Sequence, residues 1–345
     1  MECSTEWTMV PRKVFVTGGS GFIGTNLIRL LLDQGYHVKA LVRSAADSEH
    51  LERLQPGSGT MESVEGDLND PENWSAMKGC DALFHVAAHY SLWQSDREQL
   101  RRSNVLGTRN ILAAARRAEV SRVVYTSSVA AIGAGKEGQT LNESHQTPVD
   151  QLVGEYKQSK YWAEMEARQA IDAGQDIVIV NPTTPIGPWD RKPTPTGDII
   201  LRFLRGNMPF YLDTGLNIID VDDVCWGHLL ALTRGKTGRR YILGHRNMTL
   251  KTLLDLLSKH TGIASPSRRI PYWIPLLTAR VQEDILAKFG VTPSIAVDGV
   301  RMSRQWMHYD SSRAVHELGL PQSDLSAAVE RAIGWFKQHG YVQKS

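Results

Sequence analysis

"KVFVTGGSGFIGTNLIRLLLDQG" (13–35) decides the fold. The β-branched run "KVFVT" reads as a buried strand, and "FIGTNLIRLLLDQG" as a helix that stops at Gly35. Between them Gly18, Gly21 and Gly24 stand in a G-x-x-G-x-x-G spacing, a variant of the dinucleotide fingerprint. Glycines allow the tight turn and let the backbone approach a pyrophosphate. The helix start then offers unpaired N–H groups and a partial positive charge. A glycine-rich turn by itself is weak evidence. A strand before it and a helix after it make it a dinucleotide loop, with Gly18, Gly21, Phe22, Ile23 and Gly24 as candidate cofactor contacts.

The same alternation continues outward. "HVKALV" (37–42), "MESVEGD" (61–67), "DALFHVAA" (81–88), "RVVYTSS" (122–128) and "DIVIVNP" (176–182) read as further strands, with helical stretches at 97–118 and 150–173 between them. Strand-helix alternation predicts an α/β fold: a Rossmann-type doubly wound parallel sheet covered on both faces. After Pro182 the texture changes. "NPTTPIGPWDRKPTPTG" carries five prolines in seventeen residues and reads as a long irregular segment placed to cover a ligand. Helices near 198–206, 222–234, 249–261, 294–305 and 323–338 follow, with short strands near 217–220 and 240–243. The expected organisation is a nucleotide-binding lobe over 11–181 and a smaller, mostly helical substrate lobe over 182–340, some of whose elements return to the first.

Strand ends in such a sheet carry the ligand contacts. An acid closing the second strand would grip the ribose 2′-hydroxyl of NAD, but "LVRS" places Arg43 and Ser44 there. An arginine suits the 2′-phosphate of NADP, so NADP is the expected cofactor and NAD the alternative. Asp67, with Leu68 beside it in "EGDLND", ends the third strand within reach of an adenine. "YTSS" brings Ser127 and Ser128 to the end of the fifth strand. Tyr156 and Lys160, four apart in "EYKQSK", share one helix face. A lysine ammonium beside a tyrosine favours its phenolate. Lowering the phenol pKa by about three units requires roughly 4 kcal/mol of differential stabilisation. A serine hydroxyl can hold the substrate oxygen while the tyrosine passes the proton.

Composition excludes other classes. In 345 residues a net charge of +2, with no basic block, argues against a nucleic-acid partner. Cys3, Cys80 and Cys225 are odd in number and widely spaced, which suggests neither a disulfide framework nor a metal site and fits a reducing cytoplasm. "MECSTEWTMVPRK" lacks the apolar core of a signal peptide. His85 and His228 read as core histidines and Cys80 and Cys225 as inert. "IPYWIPLLTA" (270–279) is too short to span a bilayer. Ordinary packing or a contact between copies is expected there, with a lipid-facing lip as the alternative.

"TGGSGFIG", "EGDLND", "HVAA", "NVLGTRN", "YTSS", "YKQSK" and "NPTTPIGP", in this order, resemble the extended short-chain dehydrogenase/reductase superfamily through essentially the whole chain. The resemblance implies NAD(P) on the glycine loop and catalysis by Ser128, Tyr156 and Lys160, with Ser127 the fallback. It further implies support of the site by Asn104 and cofactor contacts at Ala87, Pro182 and Thr183. Two branches compete. "VRS" is similar to the dihydroflavonol reductase-like branch, which reduces ketones with NADPH. "HVAAHYSLW", "YLDTGLNIIDVDDVCWGHLLAL" and "YILG" are similar to bacterial hopanoid-associated sugar epimerases. The leading expectation is therefore an NAD(P)-dependent enzyme acting on a secondary alcohol or ketone of a sugar or polyol group. A ketone reductase of the dihydroflavonol or hydroxysteroid kind is the alternative, and a non-catalytic NADP-sensing scaffold the distant one. His89, Tyr90, Trp93 and Asn217 are weak substrate candidates, and a homodimer is an expectation of the resemblance.

Overall fold

In the computed structural model, residues 12–54, 57–70, 72–284 and 296–342 are described. Cys3, the first residues of the N-terminal lobe and the start of the helix expected at 294 lie outside them.

Six strands follow the predicted order: β1 (Lys13–Thr17), β2 (His37–Val42), β3 (Thr60–Glu65), β4 (Ala82–His85), β5 (Arg122–Thr126) and β6 (Ile177–Pro182). With Arg240–Leu243 they form a seven-stranded sheet in the order Arg240–Leu243, β6, β5, β4, β1, β2, β3. Every pairing in it is parallel. β1 explains why both faces are covered. Val14 and Val16 enter one core with Leu27, Ile28, Leu31 and Leu32 of α1 (Phe22–Asp33) and with Val224 and Leu229 of the helix Val221–Arg234. Phe15, pointing the other way, enters a second core with Ile111, Ala115, Ala163 and Ala167. Period-two side-chain alternation thus divides one strand between two layers. Each fully buried aliphatic in α1 contributes about 1.5–3 kcal/mol relative to exposure.

A third core joins Ile186, Leu201, Phe203, Leu253, Leu254, Leu257, Val329 and Phe336. These come from C-terminal helices and from a three-stranded sheet ordered Arg246–Thr249, Gly215–Asp220, Thr184–Ile186. Two sequence expectations change here. The proline-rich segment is not wholly irregular: it contains Thr184–Ile186 and starts the helix Pro195–Leu204. Thr194 caps that helix on Gly197 N–H and Pro195 stands in its first turn, where a missing N–H costs nothing. The helix expected over 97–118 divides into Arg97–Leu100, a π-helical segment Arg101–Leu106, and Gly107–Arg117.

Candidate functional site

The strand order turns back between β1 and β4, and the ends of those two strands meet the glycine loop. Gly18 takes φ +73°, and a Cβ on it would lie 2.6 Å from both N and Cα of Ala87. A Cβ on Gly24 would lie 2.0 Å from the Gly18 carbonyl oxygen. No residue but glycine fits either place. α1 opens at Gly21 with no side-chain cap and no acid in its first turn. The N–H groups of Phe22, Ile23 and Gly24 thus point forward beside the positive end of the helix, the donor set a pyrophosphate needs. Ala87 forms the facing wall, its N–H donating to Thr17 Oγ1 at 3.3 Å.

Around the crevice, Arg43 is exposed immediately after β2, and Ser44 caps the following helix Ala45–Glu52. The Asp67 carboxylate accepts from Asn69 N–H and Nδ2, both at 2.9 Å. Those bonds, then the charges of Arg102 and Arg43, hold its pKa below the usual carboxylate value. Leu68 packs on Gly107. Pro182 ends β6, and Thr183 N–H donates to the Leu243 carbonyl at 3.0 Å.

The helix Glu155–Asp172 carries Tyr156 and Lys160, the candidate acid–base residues. The Ser128 hydroxyl is near enough to Tyr156 to lower its pKa, and the Tyr90 ring meets Tyr156 edge-on with centroids 4.5 Å apart. Lys160 is buried, donates to the Thr126 carbonyl at 2.9 Å and lies 5.5 Å over the Tyr125 ring. Burial pulls its pKa down to about 8, against the pull of Glu164. The expectation of a depressed Tyr156 pKa is reversed. Burial pushes this phenol up to about 12, and the Ser128 hydroxyl recovers only part of that. The ammonium of Lys160 is engaged by Thr126 and does not set the charge state of Tyr156, which is a neutral phenol at pH 7.

Asn104 sits in the π-helical segment and ties two walls together. Its Oδ1 accepts from His89 N–H at 2.7 Å. Its Nδ2 donates to the His89 carbonyl and to Ser159 Oγ, both at 2.9 Å. Ser159 Oγ in turn donates to the Tyr156 carbonyl at 2.8 Å. The segment after β4 is thereby locked to the tyrosine helix, leaving Tyr90 against Tyr156 and a buried, unpartnered His89 Nε2. Trp93 is half-buried in the same segment. Asn217 is placed otherwise. Its Nδ2 donates to Asn247 Oδ1 (2.7 Å) and the Tyr309 carbonyl (3.2 Å), and its Oδ1 accepts from His245 N–H (3.0 Å). Both of its N–H donors are spent on structure, so we leave it out of the substrate set.

His85 is held between Thr17 Oγ1 (2.8 Å) and Thr108 Oγ1 (3.0 Å), and His228 between the Val224 carbonyl (2.7 Å) and Thr126 Oγ1 (2.9 Å). Burial keeps both neutral, with pKa values near 3 and 4. They are core histidines. Cys80 and Cys225 are buried thiols raised above their usual pKa, also mainly by burial. Among the described residues no group of three or more His, Cys, Asp or Glu could hold a metal.

Sequence reasoning missed Glu164. It is 1% exposed and accepts from Ser127 Oγ (2.6 Å), Asn181 Nδ2 (3.1 Å), Arg168 Nη2 (2.9 Å) and Arg240 Nη1 (3.2 Å). The available signal was the repeat of the same helical step: Tyr156, Lys160 and Glu164 are each four apart.

A model of the NAD dependent epimerase/dehydratase family matches residues 14–244, about two thirds of the chain. The chain belongs to that family. It is an NAD(P)-dependent enzyme of the extended short-chain dehydrogenase/reductase type, as its motif order implied. A protein of Synechocystis sp., provisionally named dihydroflavonol 4-reductase, is 58% identical over 341 residues, 98% of each chain. Sterol demethylase protein B of Methylococcus capsulatus is 33% identical over 330 residues, covering 95% of this chain and 99% of that one. Among solved structures, gox2253 superposes with a TM-score of 0.83 at 41% identity, covering 96% of this chain and all of that one. The uncapped helix start and the Gly18–Ala87 cradle fit a dinucleotide of the kind this family uses.

Proposed function

We propose that this family member is an NADP(H)-dependent oxidoreductase that interconverts a ketone and a secondary alcohol on a largely apolar skeleton. The observation that supports it is the placement of Tyr156 and Lys160 on one helix beside Ser128, at the sheet edge that also bears the glycine loop. Ser128 hydrogen-bonds the substrate oxygen and Tyr156 donates its proton to that oxygen as the carbonyl becomes an alcohol. The bound dinucleotide supplies the hydride to the carbonyl carbon. Lys160, pinned by Thr126, brings positive charge beneath the reacting groups and a donor for the cofactor ribose. Asn104 acts as a positioning residue through His89 and Ser159. Arg43 meets the 2′-phosphate, and Gly18, Gly21, Phe22, Ile23 and Gly24 the pyrophosphate. Asp67 and Leu68 lie at the adenine, while Ala87, Pro182 and Thr183 flank the nicotinamide half. His89, Tyr90 and Trp93 form the substrate wall.

The names of the two relatives support a ring-bearing, apolar substrate and, in the nearer of them, ketone reduction. The sugar-epimerase reading rests on resemblance to the hopanoid-associated branch, and the Asn217 amide expected to serve it is occupied. The two readings separate on cofactor balance. A panel of dihydroflavonols, ring ketones and nucleotide sugars is offered with NADPH deuterated at C4. One deuterium in the product and one NADPH consumed per turnover support the reductase. Epimerised product with cofactor unchanged overturns it. Arg43→Glu should weaken NADPH binding by roughly 10–100-fold while leaving NADH within a few-fold, read by fluorescence titration. Equal losses for both cofactors would remove Arg43 from the 2′-phosphate.

A further inference from the structure

We infer that Tyr125 is a positioning residue for Lys160: its ring, rather than a carboxylate, meets the buried ammonium and keeps it charged. Strand periodicity brings the two together. Tyr125 and Thr126 are neighbours at the end of β5, so their side chains leave opposite faces of the sheet. Tyr125 enters the core beneath the helix Glu155–Asp172, beside Ala163 and Ala167 of that helix. Thr126 Oγ1 goes the other way, to His228 Nε2 at 2.9 Å, while its backbone carbonyl accepts from Lys160 Nζ. The ammonium thus ends with a carbonyl oxygen at 2.9 Å and an aromatic ring whose centroid lies 5.5 Å away.

The charges around Lys160 explain why the ring matters. Lys160 is 2% exposed, so its ammonium has given up nearly all of its hydration. The titratable groups about it are Tyr156 and Glu164 on its own helix, Tyr125 on β5, His85 on β4, and His228 beyond Thr126. Both histidines are neutral, and burial raises the Tyr125 pKa so that it too is uncharged. Of these groups only Glu164 carries negative charge, and Arg168 and Arg240 already hold that carboxylate at 2.9 and 3.2 Å. Among the described residues no carboxylate is ion-paired with Lys160. The negative face of an aromatic ring is the remaining compensation, and its attraction for a cation strengthens as water is removed.

The ring is fixed in place. His85 stacks on it with centroids 5.6 Å apart and an interplanar angle of 27°. Thr17 Oγ1 and Thr108 Oγ1 hold the two nitrogens of that imidazole, at 2.8 and 3.0 Å. The polar neighbours of the Tyr125 hydroxyl are Thr108 and Ser127, so the hydroxyl is not what Lys160 uses. The ammonium requires the ring alone, which separates Tyr125→Phe from Tyr125→Leu. The inference deepens the reading that Lys160 serves the bound dinucleotide, but its first readout needs neither substrate nor cofactor.

The test is an NMR titration of the full chain with isotope-labelled lysine, the Lys160 Cε signal being identified by its loss in Lys160→Arg. Burial puts the wild-type midpoint at about 8, so the change falls in an accessible range. Tyr125→Phe should titrate within about 0.3 unit of wild type. Tyr125→Leu should titrate about one unit lower, a tenfold loss of ammonium relative to amine, because the cation loses its compensation. Tyr125→trifluorophenylalanine keeps the volume of the ring and weakens its negative face. It should fall between the two, so the result does not depend on how well the leucine variant folds. The alkaline loss of NADPH affinity, read by fluorescence titration, should move down by the same amount in Tyr125→Leu. A shifted lysine with unmoved NADPH affinity supports the ring contact while removing Lys160 from the cofactor. An unshifted Lys160 in both the leucine and the fluorinated variants overturns the proposal, as does a shift in Tyr125→Phe as large as that in Tyr125→Leu.

Discussion

Two adjacent hydroxyls leave the end of β5 toward different tasks. Ser127 donates inward to Glu164, which is surrounded by Arg168, Asn181 and Arg240. Ser128 turns outward, caps the short helix Val129–Ile132 through the N–H of Ala130 and meets Tyr156. One peptide unit therefore separates a structural network from a reactive one. The helix Glu155–Asp172 serves both, since Tyr156 and Lys160 face the cleft side and Glu164, one turn later, belongs to the buried charges. The difference teaches that residue type and strand-end position do not define the site. What each hydroxyl is bonded to does.

The largest expected effect breaks the reactive side. Tyr156→Phe removes the proton donor and should lower kcat about 10²–10⁴-fold, with NADPH affinity unchanged by fluorescence titration. A kcat within threefold of wild type (roughly the scatter of such assays) would remove Tyr156 from the chemistry. Breaking the structural side should be read in stability instead. Glu164→Ala removes the carboxylate paired with Arg240, which is 8% exposed, and should cost about 3–5 kcal/mol in denaturant unfolding. A loss under about 1 kcal/mol would mean the network is solvated.

The two sides also differ in how much of them the sequence shows. The sheet, its parallel order and the glycine loop were legible because β-branched runs, helix periodicity and glycine spacing are local signals. Tyr156, Lys160 and Ser128 were legible through spacing and family motif order. Glu164 and the Asn104–Ser159 link were not, because each depends on partners 17 or more residues away along the chain, apart from the helical neighbours. The neutral state of Tyr156 was also hidden. Spacing suggested that Lys160 would charge it, whereas burial dominates and the ammonium is engaged by the Thr126 carbonyl. The helix at 273–284 was obscured by Pro271 before it and Pro275 within it, although proline in a first helical turn is permitted.

A smaller effect sharpens the comparison through pH. His85 is neutral in the folded state, with its pKa lowered to about 3 from 6.5, mainly by burial and next by Lys160. Its contribution to stability is present above pH 6.5 and is lost as pH falls toward 3, because only the unfolded chain takes up the proton. His85→Gln should reduce the slope of unfolding free energy against pH in that window by about 1.4 kcal/mol per pH unit. An unchanged slope would show that His85 is already protonated in the fold.

The paired serines give the direct test. Ser127→Ala and Ser128→Ala are prepared together and assayed for NADPH-coupled turnover of the ketone identified in the substrate panel, with unfolding measured alongside. Ser128→Ala should lose about 10–100-fold in kcat for about 1 kcal/mol of lost cap stability. Ser127→Ala should keep kcat within roughly threefold while losing about 1–3 kcal/mol of stability, since it leaves a buried carboxylate lacking a donor. Equal losses of kcat in the two variants, or a larger loss for Ser127→Ala, would contradict the division between them.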